Sequence, residues 1–257
     1  MSRVPLPATF LTKPLAHRAL HDVAQGRPEN SRAAIRAAIA HGYGIEIDLQ
    51  PSRDGVAMVF HDYDMGRLTG CPGPIQQQSA ATLAKTPLLG GDEGVPELAE
   101  VLDLVAGQVP LLIELKDQHG QMGRTDGGLE QAVAGVLSGY AGDVALMSFN
   151  PQSVILLAEL CPDLPRGIVT SGYGAEDWPL LRAGVRDWLR AIPDYDVAGA
   201  SFVSHEVSDL DRPRVAEIKA AGGHVLCWTV RSAAQEAKAR RVAENITFEG
   251  YLAPLSA

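Results

Sequence analysis

GIEIDL, residues 44–49, alternates without a break: Ile45, Ile47 and Leu49 fall on one face of a strand, and Glu46 and Asp48 fall on the other, because strand side chains alternate with period two. PLLIELK, residues 110–116, repeats the construction, with Leu111, Ile113 and Leu115 on one face and Leu112, Glu114 and Lys116 on the other. Such strands suit a barrel, in which the apolar row meets surrounding helices and the carboxylates point inward. Two adjacent anions in an enclosed space repel and lose hydration, so a cation or several donors must compensate them.

Outward from these strands the pattern repeats. PLAHR (14–18) reads as a strand, followed by a helix over SRAAIRAAIAH with Asn30 or Ser31 as N-cap and Gly42 just past its end. PSRDG is a turn, and VAMVFHD (56–62) returns from it to form a hairpin with 44–49. Residues 64–96, punctuated by proline and glycine, read as an insertion without periodicity. Helices over ELAEVLDLVAG and LEQAVAGVLSGY flank 110–116, and further strands are expected at 144–149, 166–170, 199–203, 224–230 and 245–249. Eight strand–helix steps predict an α/β fold, a TIM (β/α)8 barrel with a small insertion after the hairpin, forming one domain over 1–257; a doubly wound open sheet is the alternative.

Composition narrows the function classes. The 257 residues are 46% hydrophobic and 21% charged, with a formal net charge of −9. That excess of acid disfavours nucleic acid and anionic lipid as partners. Cys71, Cys161 and Cys227 lie far apart, with no metal-binding or disulfide spacing. The N-terminal stretch lacks the apolar core of a signal peptide, and no apolar run approaches the roughly 18 residues of a spanning helix. A cytoplasmic, unanchored protein is expected, with oligomeric state not legible.

The inward carboxylates Glu46, Asp48 and Glu114 are hard oxygen ligands suited to Mg²⁺ or Ca²⁺. An internal Glu114–Lys116 pair is the competing structural explanation. His17 and His61 each end an apolar run, where barrel active sites are built, and histidine is the side chain best placed to move protons near neutral pH. Arg18 adds planar donors suited to phosphate, and Asp62 stands beside His61 where it can orient the imidazole.

The ordered set PLAHRA, RPENS, GIEIDL, RDGVAMVFHD, VPELAEVLDLV, PLLIELK, MSFNP and CWTV resembles the glycerophosphodiester phosphodiesterase family over nearly the whole chain, most closely at 14–70. The intervals of 29 residues from His17 to Glu46, 2 from Glu46 to Asp48 and 13 from Asp48 to His61 are the specific part. The resemblance implies a TIM barrel that hydrolyses small-molecule glycerophosphodiesters to glycerol 3-phosphate and an alcohol with a divalent metal, Mg²⁺ or Ca²⁺. It implies Glu46, Asp48 and Glu114 as metal ligands and His17 and His61 as general acid and base. Arg18 and Lys116 resemble the family's phosphate contacts, Glu29 lies where the family has a polar residue at the site, and Trp228 resembles the aromatic residue lining the cleft. Asn30 reads as a helix cap and loop-holding residue. With a divalent ion and the two basic side chains, the three carboxylates leave one net positive charge to meet a singly charged phosphodiester.

The sequence departs from that pattern in places. Ala19 stands where the family usually has glycine, and the following loop carries His21 and Asp22, which read as exposed decoration. DQHGQMGRTDGG after Glu114 is long, reads as a solvated loop, and carries His119 and Arg124 as candidates to reach an anionic headgroup. Glu249 replaces the usual aspartate after the last strand. Two other readings stay open: a sphingomyelinase D-like phospholipase on the same scaffold, and a non-catalytic barrel that binds metal or ligand.

Overall fold

Eight parallel strands close into a barrel in the computed structural model, which describes residues 3–255. In chain order the strands are β1 (Leu15–Ala16), β2 (Gly44–Pro51), β3 (Ala57–Val59), β4 (Leu111–Leu115), β5 (Val144–Ser148), β6 (Arg166–Thr170), β7 (Phe202–Glu206), β8 (His224–Val230) and β9 (Asn245–Phe248). β1 pairs with both β2 and β9 and so closes the cylinder. β3 stands outside it, antiparallel to the end of β2. Closure excludes the open doubly wound sheet.

The helices are α1 (Thr9–Thr12), α2 (Arg32–His41), α3 (Gly66–Thr69), α4 (Ala80–Leu83), α5 (Leu98–Val105), α6 (Gly128–Leu137), α7 (Pro151–Leu160), α8 (Ala183–Ala191), α9 (Pro213–Ala220) and α10 (Ala233–Ala239). Seven of them, α2 and α5–α10, follow barrel strands or the hairpin, as a right-handed β-α-β crossover demands. No helix among the described residues is long and apolar enough to cross a membrane.

The alternation in β2 and β4 sorts as the sequence predicts. Ile45, Ile47, Leu49, Leu111, Ile113 and Leu115 are all fully buried in the layer between barrel and helices. The inward faces divide into two levels. Below lies an apolar plug in which Phe10 of α1 meets Leu15, Leu112, Phe202 and Leu226. Gly167 is required there, since a Cβ would lie 2.3 Å from the Phe202 ring. Above the plug the interior turns polar, and β4 passes from Leu112 below to Glu114 above within one pleat.

Three expectations shift. β1 is only two residues long, because Arg18 and Ala19 take left-handed backbone angles, φ 53° and 64°, which end the strand. β7 runs over Phe202–Glu206 and not 199–203, because Gly199 has φ 59° and the strand begins only after that turn. Ser31, not Asn30, caps α2, its side chain accepting from the Ala34 N–H, while Asn30 has φ 58° and turns its amide elsewhere. The 64–96 insertion has its own apolar cluster, in which Met58 and Phe60 pack on Met65, Leu68, Ile75, Leu83, Leu88 and Val95.

Candidate active site

Glu46 and Asp48 face into the barrel from β2, and the register that sets Asp48 opposite Glu114 brings the third carboxylate level with them. One oxygen from each lies within 4.8 Å of the others, and the residues are 1%, 1% and 6% exposed. Lys116 Nζ lies 2.7 Å from both Asp48 Oδ1 and Glu114 Oε1. Asn30 Nδ2 donates to Asp48 Oδ2 at 3.0 Å, and the Arg18 backbone N–H donates to Glu46 Oε2 at 2.9 Å. The pairing of Glu114 with Lys116 is therefore real, but it extends to Asp48 and leaves Glu46 without an ionic partner of its own among the described residues.

The electrostatics follow from that imbalance. Burial, and then the charges of Asp48 and Glu114, push the Glu46 carboxyl well above its ordinary range. Burial would raise Asp48 too, but Lys116, Arg18 and the His61 and His17 imidazoles, which are charged in the acid range where a carboxyl titrates, hold it well below the carboxylate range. Three buried carboxylate oxygens converging on one point fit a hard divalent cation, and Glu46, Asp48 and Glu114 are the residues that would hold it.

The two histidines reach this cluster by different routes. His61 comes from the hairpin: β3 runs antiparallel to the barrel, the Phe60 N–H donates to the Asp48 carbonyl at 2.9 Å, and the next residue is set beside the carboxylates. Its Nδ1 lies 2.7 Å from Asp62 Oδ1. Arg67, from the insertion, grips Asp62 through Nε at 2.6 Å and also binds both oxygens of Glu29, whose Oε1 accepts from Arg18 at 2.8 Å. Burial alone would raise Asp62 and Glu29, but these partners bring both below the ordinary carboxylate range.

His17 follows β1 directly. β1 and β9 pair Ala16 with Phe248, so the same register continued by one residue sets His17 beside Glu249. His17 Nδ1 and Glu249 Oε2 are 2.5 Å apart, and Arg231 Nε donates to Glu249 Oε1 at 2.8 Å. Burial lowers the His17 pKa from its ordinary value of 6.5; the Glu249 hydrogen bond opposes that and does not win. In both histidines a carboxylate occupies Nδ1, which leaves Nε2 for the cavity.

That cavity has two lobes. The inner one, about 130 Å³, is lined by His17, Arg18, Glu46, His61, Glu114, Lys116, Trp228 and Arg231. The outer, about 630 Å³, shares His61, Glu114, Lys116, Phe149 and Trp228 and adds Tyr63, Asp117, Met122 and Trp178. Phe149 lies 5.1 Å from Trp178 and 5.5 Å from Trp228, centroid to centroid, and Trp228 Nε1 donates to the Ser204 carbonyl, which fixes the indole.

The structure thus brings together His17, Arg18, Glu46, Asp48, His61, Glu114, Lys116 and Trp228. Glu29 lines neither lobe; its carboxylate is spent on Arg18 and Arg67. Neither His119 nor Arg124 lines the cavity; their loop instead contributes Met122 and Asp117, which Asn150 holds at 2.8 Å. His21 is not surface decoration, since its Nε2 lies 3.6 Å from Glu249. Arg67 and Arg231 were not singled out from the sequence. Arg231 carried a usable signal, its position just past the C-terminal end of a barrel strand, whereas nothing local marks Arg67.

A closed parallel barrel with clustered carboxylates and two imidazole edges at one mouth is the architecture of a TIM-barrel enzyme. The sequence profile of the glycerophosphoryl diester phosphodiesterase family matches residues 17–245, and the chain belongs to that family. It is a phosphoric diester hydrolase. Similar proteins include YhdW of Bacillus subtilis, 27% identical over 234 residues, covering 87% of this chain and 88% of that one. A glycerophosphodiester phosphodiesterase of Caldanaerobacter subterraneus is 28% identical over 160 residues, 59% of this chain and 65% of that protein. Among solved structures, an Oleispira antarctica phosphodiesterase in complex with the product sn-glycerol-3-phosphate superposes with a TM-score of 0.75 at 24% identity, over 94% of each chain.

Proposed function

We propose that the chain hydrolyses glycerophosphodiesters to glycerol 3-phosphate and an alcohol, with Glu46, Asp48 and Glu114 holding a divalent cation and His17 and His61 moving the protons. The observation that carries this reading is the pair of carboxylate-held imidazoles lining one cavity with three buried carboxylates. The cation, when bound, supplies Lewis-acid polarisation of a phosphoryl oxygen. That relatives carry the name glycerophosphodiester phosphodiesterase, and that the Oleispira enzyme was solved with sn-glycerol-3-phosphate, supports the substrate class.

The two lobes suggest the division of labour. His17 lines only the inner lobe, and its lowered pKa keeps the imidazole neutral at physiological pH, so its Nε2 accepts the proton of the nucleophile, either water or the substrate's own glycerol hydroxyl, whose cyclic phosphate water then opens. His61 lines both lobes, and from there its Nε2 protonates the departing alcohol, which occupies the outer lobe against Phe149, Trp178 and Trp228. Arg18, Lys116 and Arg231 face the inner lobe and meet the phosphoryl oxygens. Glu29, together with Arg67, holds the Arg18 guanidinium in place.

Release of glycerol 3-phosphate from glycerophosphodiesters, followed for the wild type and for His17→Ala and His61→Ala, tests this. The reading requires turnover in the wild type and its loss in both folded variants; full activity in either variant contradicts it.

A further inference from the structure

Two departures from the family pattern, the 19–22 loop and Glu249, lie far apart in sequence and meet in the structure. His21 Nε2 is 3.6 Å from Glu249 Oε2, and that nitrogen is buried with no hydrogen-bond partner among the described residues. Glu249 is fixed by its backbone, whose N–H donates to the Val230 carbonyl at 3.0 Å, and its two oxygens are divided between His17 and Arg231. The arrangement duplicates the one at His61, where Asp62 takes Nδ1 and Arg67 holds the carboxylate from behind. Two unrelated segments have arrived at the same construction, an arginine–carboxylate–imidazole series ending at the cavity.

We propose that Glu249 is the positioning residue of His17, fixing its imidazole as the Nδ1–H tautomer with Nε2 toward the inner lobe and stabilising the imidazolium that forms when Nε2 takes a proton. The proposal rests on the reading of His17 as the base. Arg231 and His21 serve Glu249 in turn, keeping the carboxylate ionised and aimed. The hydrogen bond from His17 and the nearby His21 imidazole hold Glu249 well below the ordinary carboxylate range despite its partial burial. The charged groups facing His17 are Glu249 and Asp48, which favour its protonated form, and Arg18, which opposes it along with burial. Removing the charge of Glu249 therefore lowers the His17 pKa further.

The test compares Glu249→Gln and Glu249→Ala with the wild type by steady-state kinetics of the Mg²⁺-loaded enzyme across pH, and by ¹⁵N-resolved NMR titration of the histidine rings. Gln retains an acceptor of the same reach without the charge, and is expected to fold as the wild type does. It should lower kcat about tenfold with KM within about threefold, and move the acid limb of kcat to lower pH. Ala, which also frees the tautomer, should lower kcat about 100-fold. The NMR should find His17 as the neutral Nδ1–H tautomer in the wild type, with its titration midpoint lowered in the Gln variant. Wild-type kcat in both variants, a loss confined to KM, or an unmoved His17 titration overturns the proposal. If the wild type turned over no glycerophosphodiester while the Gln variant still shifted the His17 titration, the positioning role would stand and the proposed function would fall.

Discussion

The His61 side of the site is built from neighbours in sequence, with Asp62 adjacent and Arg67 six residues from the histidine, whereas the His17 side draws its carboxylate from Glu249, 232 residues away. The chemistry at the two imidazoles is the same, an Nδ1–carboxylate contact backed by an arginine. The construction differs. A hairpin and a following loop suffice for His61, while His17 depends on the closure of the barrel through the β1–β9 pairing. Closure also carries a conformational cost on that side, since Arg18 and Ala19 both hold left-handed backbone angles beside the histidine.

If the two sides are equal partners in proton transfer, His17→Ala and His61→Ala should each lower kcat by about 1,000-fold or more. A large loss in one and not the other would break the symmetry. Glu46→Gln, which keeps the shape and removes the charge, should weaken divalent-metal binding by about 100-fold or more in calorimetry without unfolding the protein. Asp62→Asn should match Glu249→Gln, each lowering kcat about tenfold, if local and long-range carboxylates do the same work. Because His17 must be neutral to accept a proton, kcat/KM should rise with pH through its pKa, and burial places that midpoint below 6.5, the ordinary value for histidine. The smallest effect is expected from Ala19→Gly. It relieves a backbone strain of about 1 kcal/mol but loses a buried methyl group, so the unfolding free energy should change by less than about 1 kcal/mol.

The same contrast governs what the sequence revealed. The barrel was legible because β2 and β4 have one face against the helices and one facing inward, so Ile45, Ile47 and Leu49 had to alternate with Glu46 and Asp48. His61–Asp62 was legible because adjacent residues past a strand end are close whatever the rest of the chain does. Glu249 could be seen as a departure but not placed, since its partner is defined only when the first and last strands meet. Asn30 was read as a cap because a cap is a local device; its contact with Asp48 is tertiary, and Ser31 fills the local role. The insertion gave no periodic signal because α3 and α4 are four residues each, too short to display a 3.6-residue repeat.

The central claim is that three buried carboxylates, loaded with a divalent cation, and two carboxylate-held histidines cleave glycerophosphodiesters. Its most direct measurement is the rate of glycerol 3-phosphate release from a panel of glycerophosphodiesters by the purified wild type, first stripped of metal and then titrated with Mg²⁺ or Ca²⁺. The account predicts no release from the stripped protein and saturable restoration by one of the two ions. Undiminished release after exhaustive chelation, or no release with either ion across the panel, would contradict it.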